Sequence, residues 1–289
     1  MEKKLILRGV FAGAVAGVLA FVFARIFAEP QISKAIDYET GREAAQAVVA
    51  KAQGVAVDAA GPDLFSRTIQ ADVGLGVGMI LFGMAMGAVF AVVYAVCLGR
   101  VGNLRPRALA LLVAAGGFLG MYLVPFVKYP ANPPSIGRSD SIRERGGLYL
   151  LMVLCSVVLL ALAVWLGQRL KARFGNWTAS LLAGAAFIVV IGIVMAILPS
   201  LGHLVGEQRM FGNQATETPL PLTDSHGTIV YPGFPADVLF DFRLYSVTAQ
   251  LILWTAIGLC FAPMAERVLD SRPPRRPLGQ GRDQDPVSR

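Results

Sequence analysis

Long apolar runs separated by short polar stretches dominate the chain. Six of them, near residues 5–28, 73–98, 108–127, 147–167, 177–199 and 244–265, approach or exceed the length needed to cross a membrane. A bilayer core of about 30 Å takes roughly 20 apolar residues of helix at 1.5 Å per residue. The pattern predicts an all-α polytopic integral membrane protein: a six-helix transmembrane bundle with extracytoplasmic loops, forming one transmembrane domain over residues 1–270. The Pro-, Arg- and Gly-rich stretch 271–289 reads as a disordered cytoplasmic tail. Lys3 and Lys4 ahead of the first run give it the look of a signal peptide. Cleavage after Ala28, however, would place bulky Ile26 where a small residue is needed, so the run is expected to stay as the first helix.

Between the runs, the cytoplasmic links are expected to be short and the outer segments long. The outer stretch 29–72 contains an Ala-rich part, Arg42 to Ala60, that reads as a surface helix ended at Gly61-Pro62. The stretch after the third run begins Lys-Tyr-Pro-Ala-Asn-Pro-Pro, which cannot be helical. Glycines recur every fourth residue at Gly9, Gly13 and Gly17, at Gly74 and Gly78, at Gly83 and Gly87, and at Gly116 and Gly120. Such stripes read as close helix packing, with a glycine-lined path or moving interface as the alternative.

Composition adds that only 16% of the 289 residues are charged and 55% are apolar, against about a quarter charged in soluble chains. The net charge of +7 is not a nucleic-acid signal, because Lys and Arg collect in cytoplasmic loops for topological reasons. With the N-terminus inside, the inner segments carry fifteen basic residues and five acids, and the outer ones ten basic residues and fourteen acids, Arg25 counted apart. Both termini are therefore expected in the cytoplasm. Cys97, Cys155 and Cys260 all lie in apolar runs and fit neither a disulfide framework nor a zinc ribbon.

Candidate chemistry is sparse. There is no P-loop, no H-E-x-x-H and no G-x-S-x-G, so nothing supports an enzyme. His203 and Glu207 stand four residues apart, on one face if the fifth helix continues. Asp224 and His226 add a second oxygen and nitrogen in the same outer loop, and imidazole with carboxylate suits Co, Ni or Zn. Glu29, Asp37 and Glu39 follow the first run and read as a vestibule that concentrates cations. For the histidines, the acids, and Met79, Met84, Met86 and Met121, the ordinary readings as solvated loop or core packing stand beside these. Asp241 and Arg243 flank the start of the sixth run and read as structural.

Two segments go beyond composition. Lys128-Tyr129-Pro130-Ala-Asn132-Pro133-Pro134-Ser-Ile-Gly137 is one. The other is Gly233-Phe234-Pro235-Ala-Asp237-Val-Leu-Phe-Asp-Phe242-Arg243-Leu244, followed by Gln250 and Leu253-Trp254. Together with Ile36-Asp-Tyr-Glu39, they resemble in order and spacing the signature segments of the CbtA family of probable cobalt transporter subunits. The resemblance covers the chain through about Pro263. It implies a membrane subunit of a cobalt uptake system linked to cobalamin synthesis, working beside a small single-helix companion that carries histidines. Family members are described with about five spans, against the six counted here. No cofactor is expected, and Co(II) enters only as the transported ion. Expected partners are membrane lipid and the companion, without nucleic acid. The alternative is a non-transporting structural or accessory subunit of a larger membrane complex.

Overall fold

The computed structural model describes residues 2–54, 66–134, 136, 142–200 and 218–270. Five helices are long and apolar enough to cross a membrane: α1 (Glu2–Ala52), α2 (Arg67–Cys97), α3 (Pro106–Lys128), α4 (Ile142–Ile197) and α5 (Ala236–Asp270). A two-stranded antiparallel hairpin, β1 (Leu222–Thr223) and β2 (Ile229–Tyr231), precedes α5.

The helices overrun the apolar runs that predict them. Most of the expected outer loop 29–72 is helix, because α1 continues past Glu29-Pro30 to Ala52. A proline ring clashes with the carbonyl four residues back and offers it no N–H. For Pro30 that carbonyl belongs to Ile26, inside the π-helical turn Ala24–Ala28. Pro125 repeats the device, since Met121 lies in the π turn Phe118–Leu123. The wider winding moves the carbonyl away, and the helix passes through its proline. At the other helix starts, α2 begins at Arg67 rather than near 73, with Ser66 accepting from the Ile69 N–H, and α5 begins at Ala236 rather than 244.

A straight helix of 56 residues, as α4 counts, would run about 84 Å. It is instead broken at Gly175, whose φ of 73° and ψ of 172° are non-helical and lie in a region essentially reserved for glycine. The arms 142–174 and 176–197 fold back on each other: a Cβ on Gly167 would stand 3.5 Å from that of Ala183. Met152, Phe187 and Ile191 form the buried seam, together with Val124 and Tyr129 of the neighbouring α3 end. Ser156 donates to the Gly120 carbonyl, tying the first arm to α3.

The glycine stripes decide how close α1 and α2 come. A Cβ on Gly9 would overlap the Gly87 carbonyl, one on Gly13 the Gly83 carbonyl, and one on Gly17 would lie 2.7 Å from the Met79 carbonyl. The two helices are therefore in backbone contact and antiparallel. Gly74 and Gly78 do not join that contact; nothing lies within 4 Å of a Cβ at Gly78. The α5 helix packs antiparallel on both α1 and α3, with Trp254 against Gly117 and the Phe261 ring 5.0 Å from both Phe90 and Tyr94. Met79, Met86 and Met121 pack on this core.

This order gives the bundle two ends. At the terminal end lie Glu2, the α2–α3 turn, Gly175 and the close of α5, where Arg107 Nε meets Glu266 at 2.6 Å and Arg8 donates to the Met264 carbonyl. The other end carries the overrunning part of α1, the proline-rich segment and the hairpin.

Candidate functional site

The three signature segments converge at that second end, in a polar and aromatic cap. Tyr38, on the overrun of α1, packs at a tilt 5.3 Å from Tyr231 and edge-on 5.1 Å from Phe234. Its hydroxyl donates to the Pro232 carbonyl at 2.9 Å. Arg42, one turn on, donates to the Leu220 carbonyl at 2.7 Å. Ala35, Tyr38 and Ile136 bury their side chains against this pair of rings. The proline-rich segment is held from the other side, where Arg243 Nε donates to the Ala131 carbonyl at 3.2 Å and its Nη2 to Asn132 Oδ1 at 2.8 Å. The segment after α3 and the one that leads into α5 thus meet, and Arg243 is their clasp. Pro133 is fully buried. Tyr129 donates to the Pro199 carbonyl at 2.8 Å, and burial pushes its phenol up from the ordinary tyrosine value.

Beneath the cap lies a layer of ion pairs. Glu29 is 5% exposed and accepts from Arg67. Arg25 Nε meets Asp72 at 2.5 Å, and Gln31, also buried, donates to Asp241 at 3.3 Å. A buried carboxylate is tolerated only when paired. The overrun of α1 therefore does more than extend a helix, since it brings Glu29, Gln31 and Tyr38 to α2, α5 and the hairpin.

The sequence candidates divide accordingly. Glu29 is engaged by Arg67, so the reading of Glu29, Asp37 and Glu39 as one acidic vestibule loses its first member to an ion pair. Glu39 is ten residues on, about 15 Å along the helix, so the two carboxylates do not gather at one point. Asp224 Oδ1 accepts the N–H groups of His226 and Thr228 at 2.9 and 2.8 Å and so shapes the hairpin turn. The His226 side chain is exposed beside it. His203 and Glu207 lie outside the described residues. Among the described residues, no three His, Cys, Asp or Glu side chains come together as a metal-ligating group.

Sequence reasoning missed the aromatic contact of Tyr38 with the hairpin, the Glu29–Arg67 pair and the hairpin itself. Asp224-Ser-His-Gly227 was a usable turn signal, with Gly227 at φ 81°. It also missed a cleft of about 260 Å³ between α1, α2 and α5, beside the open face of Gly74 and Gly78. Ala20, Met79, Phe82 and Leu253 line it, with Gln250 as its polar side chain.

Among known proteins, no curated protein and no solved structure matches the chain. The family model of CbtA, described as a probable cobalt transporter subunit, matches residues 2–266. That span takes in every segment of the cap and all five long helices up to the last turn of α5, and on it the chain belongs to the CbtA family of probable cobalt transporter subunits.

Proposed function

We propose that the chain is the multi-spanning subunit of a bacterial inner-membrane uptake system for Co(II), linked to cobalamin synthesis, in which a small single-helix companion takes part. The observation that carries the reading is the cap, because the three segments that resemble the family signature are brought into mutual contact at one end of the bundle. The reversal at Gly175 supports reading each arm of α4 as a separate crossing, which makes six spans with both termini on one side. The excess of Lys and Arg on that side supports a cytoplasmic orientation for it. The cap then faces outward. His203, Glu207, Asp224 and His226 supply imidazole and carboxylate for first capture of the ion, and Glu39 and Glu29 are the further carboxylates of the outer segments, Glu29 already paired with Arg67. Neutral imidazole and carboxylate are the donors that suit a borderline divalent ion.

A second reading rests on one observation, the lack of any three-ligand group among the described residues. A dehydrated divalent ion needs several ligands, so this favours an accessory subunit that assembles the path without lining it. Mild-detergent affinity purification of the tagged chain separates the two. A co-purifying small histidine-bearing membrane subunit and bound cobalt support the uptake reading. Recovery with an assembly that holds no cobalt and moves none supports the accessory one.

A further inference from the structure

At the terminal end, two tight turns lie side by side. The α2–α3 turn, with Gly99 and Gly102 at φ 75° and 95°, carries Arg100, Arg105 and Arg107. The turn at Gly175 carries Arg169, Lys171 and Arg173. Gln168 Nε2 donates to the Val101 carbonyl at 3.4 Å and joins them. Neither stretch 98–107 nor 165–177 contains an acid. Two of the six cations are engaged: Arg107 by Glu266, and Arg100, whose Nη1 donates to the Val96 carbonyl at 2.7 Å and so caps α2. Arg105, Arg169, Lys171 and Arg173 are exposed, and among the described residues none of them is paired with an acid.

Aromatic rings fix where two of these charges point. The Arg169 guanidinium lies 5.2 Å from the Trp165 ring centre and that of Arg173 5.3 Å from Phe174. Trp177, 78% exposed, opens the next arm. Tryptophans at the ends of apolar helices settle at head-group depth, and a guanidinium pre-oriented on a ring offers its fork to a phosphate. The topological bias toward inside cations sets only their number. This fold adds their concentration on two joined turns, at the level where phosphates lie.

We propose that the surface formed by Arg105, Arg169, Lys171 and Arg173 binds the phosphate head groups of anionic phospholipids. The lipid neutralises four like charges that have no acid partner among the described residues, and its acyl chains run along the exposed apolar face of the second arm, past Leu181 and Ile188. The inference needs the helices to cross a membrane but is independent of cobalt and of which side the turns face.

The test uses the full chain purified in neutral detergent, with phosphatidylglycerol or phosphatidylcholine added. Lipid retained per protein and the thermal midpoint are the readouts. Wild type should retain phosphatidylglycerol preferentially and be stabilised by it. R105Q/R169Q/K171Q/R173Q should retain almost none, because each cation near an anionic surface contributes about fivefold in affinity and the loss of four multiplies to roughly several hundred-fold. The charge-keeping R105K/R169K/R173K, which lacks the planar forks, should retain an intermediate amount. Should the quadruple variant fail to fold, R105Q/K171Q and R169Q/R173Q are each expected to lose part of the retention. Unchanged retention in the glutamine variants, equal stabilisation by phosphatidylcholine, or the same midpoint rise with inorganic phosphate would each overturn the proposal.

Discussion

Gly13 and Gly78 stand in the same kind of helix with the same four-residue spacing, yet the structure gives them opposite surroundings. Gly13 lies against the Gly83 carbonyl, and Gly78 opens on a cleft. G13A should therefore destabilise by about 1–3 kcal/mol through overpacking. G78A should instead gain up to about 1 kcal/mol from helix propensity. Thermal unfolding of both variants in one detergent checks the contrast, and equal effects would mean that the stripes are interchangeable. Tyr129 offers a second test at this scale. Burial raises its pKa, so the folded chain keeps the phenolic proton after the unfolded chain has lost it. The resulting stability is complete below about pH 10, the ordinary tyrosine value, and is lost as pH rises through the higher folded value. Y129F should cost about 1 kcal/mol near neutrality by losing the bond to Pro199. It should also flatten the alkaline decline, and an unchanged slope in unfolding midpoints from pH 8 to 11 would contradict the assignment.

Among the elements, the second half of the chain depends on the reversal at Gly175. Gly167 and Ala183 are sixteen residues apart, which is about 24 Å in a straight helix. With a Cβ–Cβ distance of 3.5 Å in the hairpin, G167C/A183C in a background without the three native cysteines should oxidise to a disulfide, since that spacing suits the bond. A mobility shift on non-reducing gels reports it, and its absence would restore the single long helix. The elements also show what the sequence made legible. Apolar run length located the five helices that are long and apolar enough to cross a membrane, because burial in lipid requires uninterrupted apolar residues. It misplaced their ends, because polar residues such as Glu29 and Gln31 continue a helix once Arg67 and Asp241 receive them. Those partners are distant in sequence. Pro30 added to the error, since a proline next to a charge reads as a stop unless the π turn before it is known. Of the candidate site, the clasp between the two proline-bearing segments was legible from their place after α3 and before α5, but Tyr38 as its third member was not. Nothing in the local pattern says that α1 would carry Tyr38 out to the hairpin.

For the molecule as a whole, the two ends have divided roles. The terminal end gathers cations on short turns, and the capped end gathers the signature segments, the paired acids and the long connections. The described core between them is apolar and closely packed around Phe90, Tyr94 and Phe261. The measurement that tests the central claim most directly is the accumulation of radioactive Co(II) by cells lacking the chain and by the same cells supplied with it. Membrane levels of its partner subunits should be checked as equal. Membership of a cobalt uptake system predicts that accumulation falls several-fold on deletion and recovers on resupply. Equal accumulation in both strains, with the chain present and inserted in the second, would contradict it.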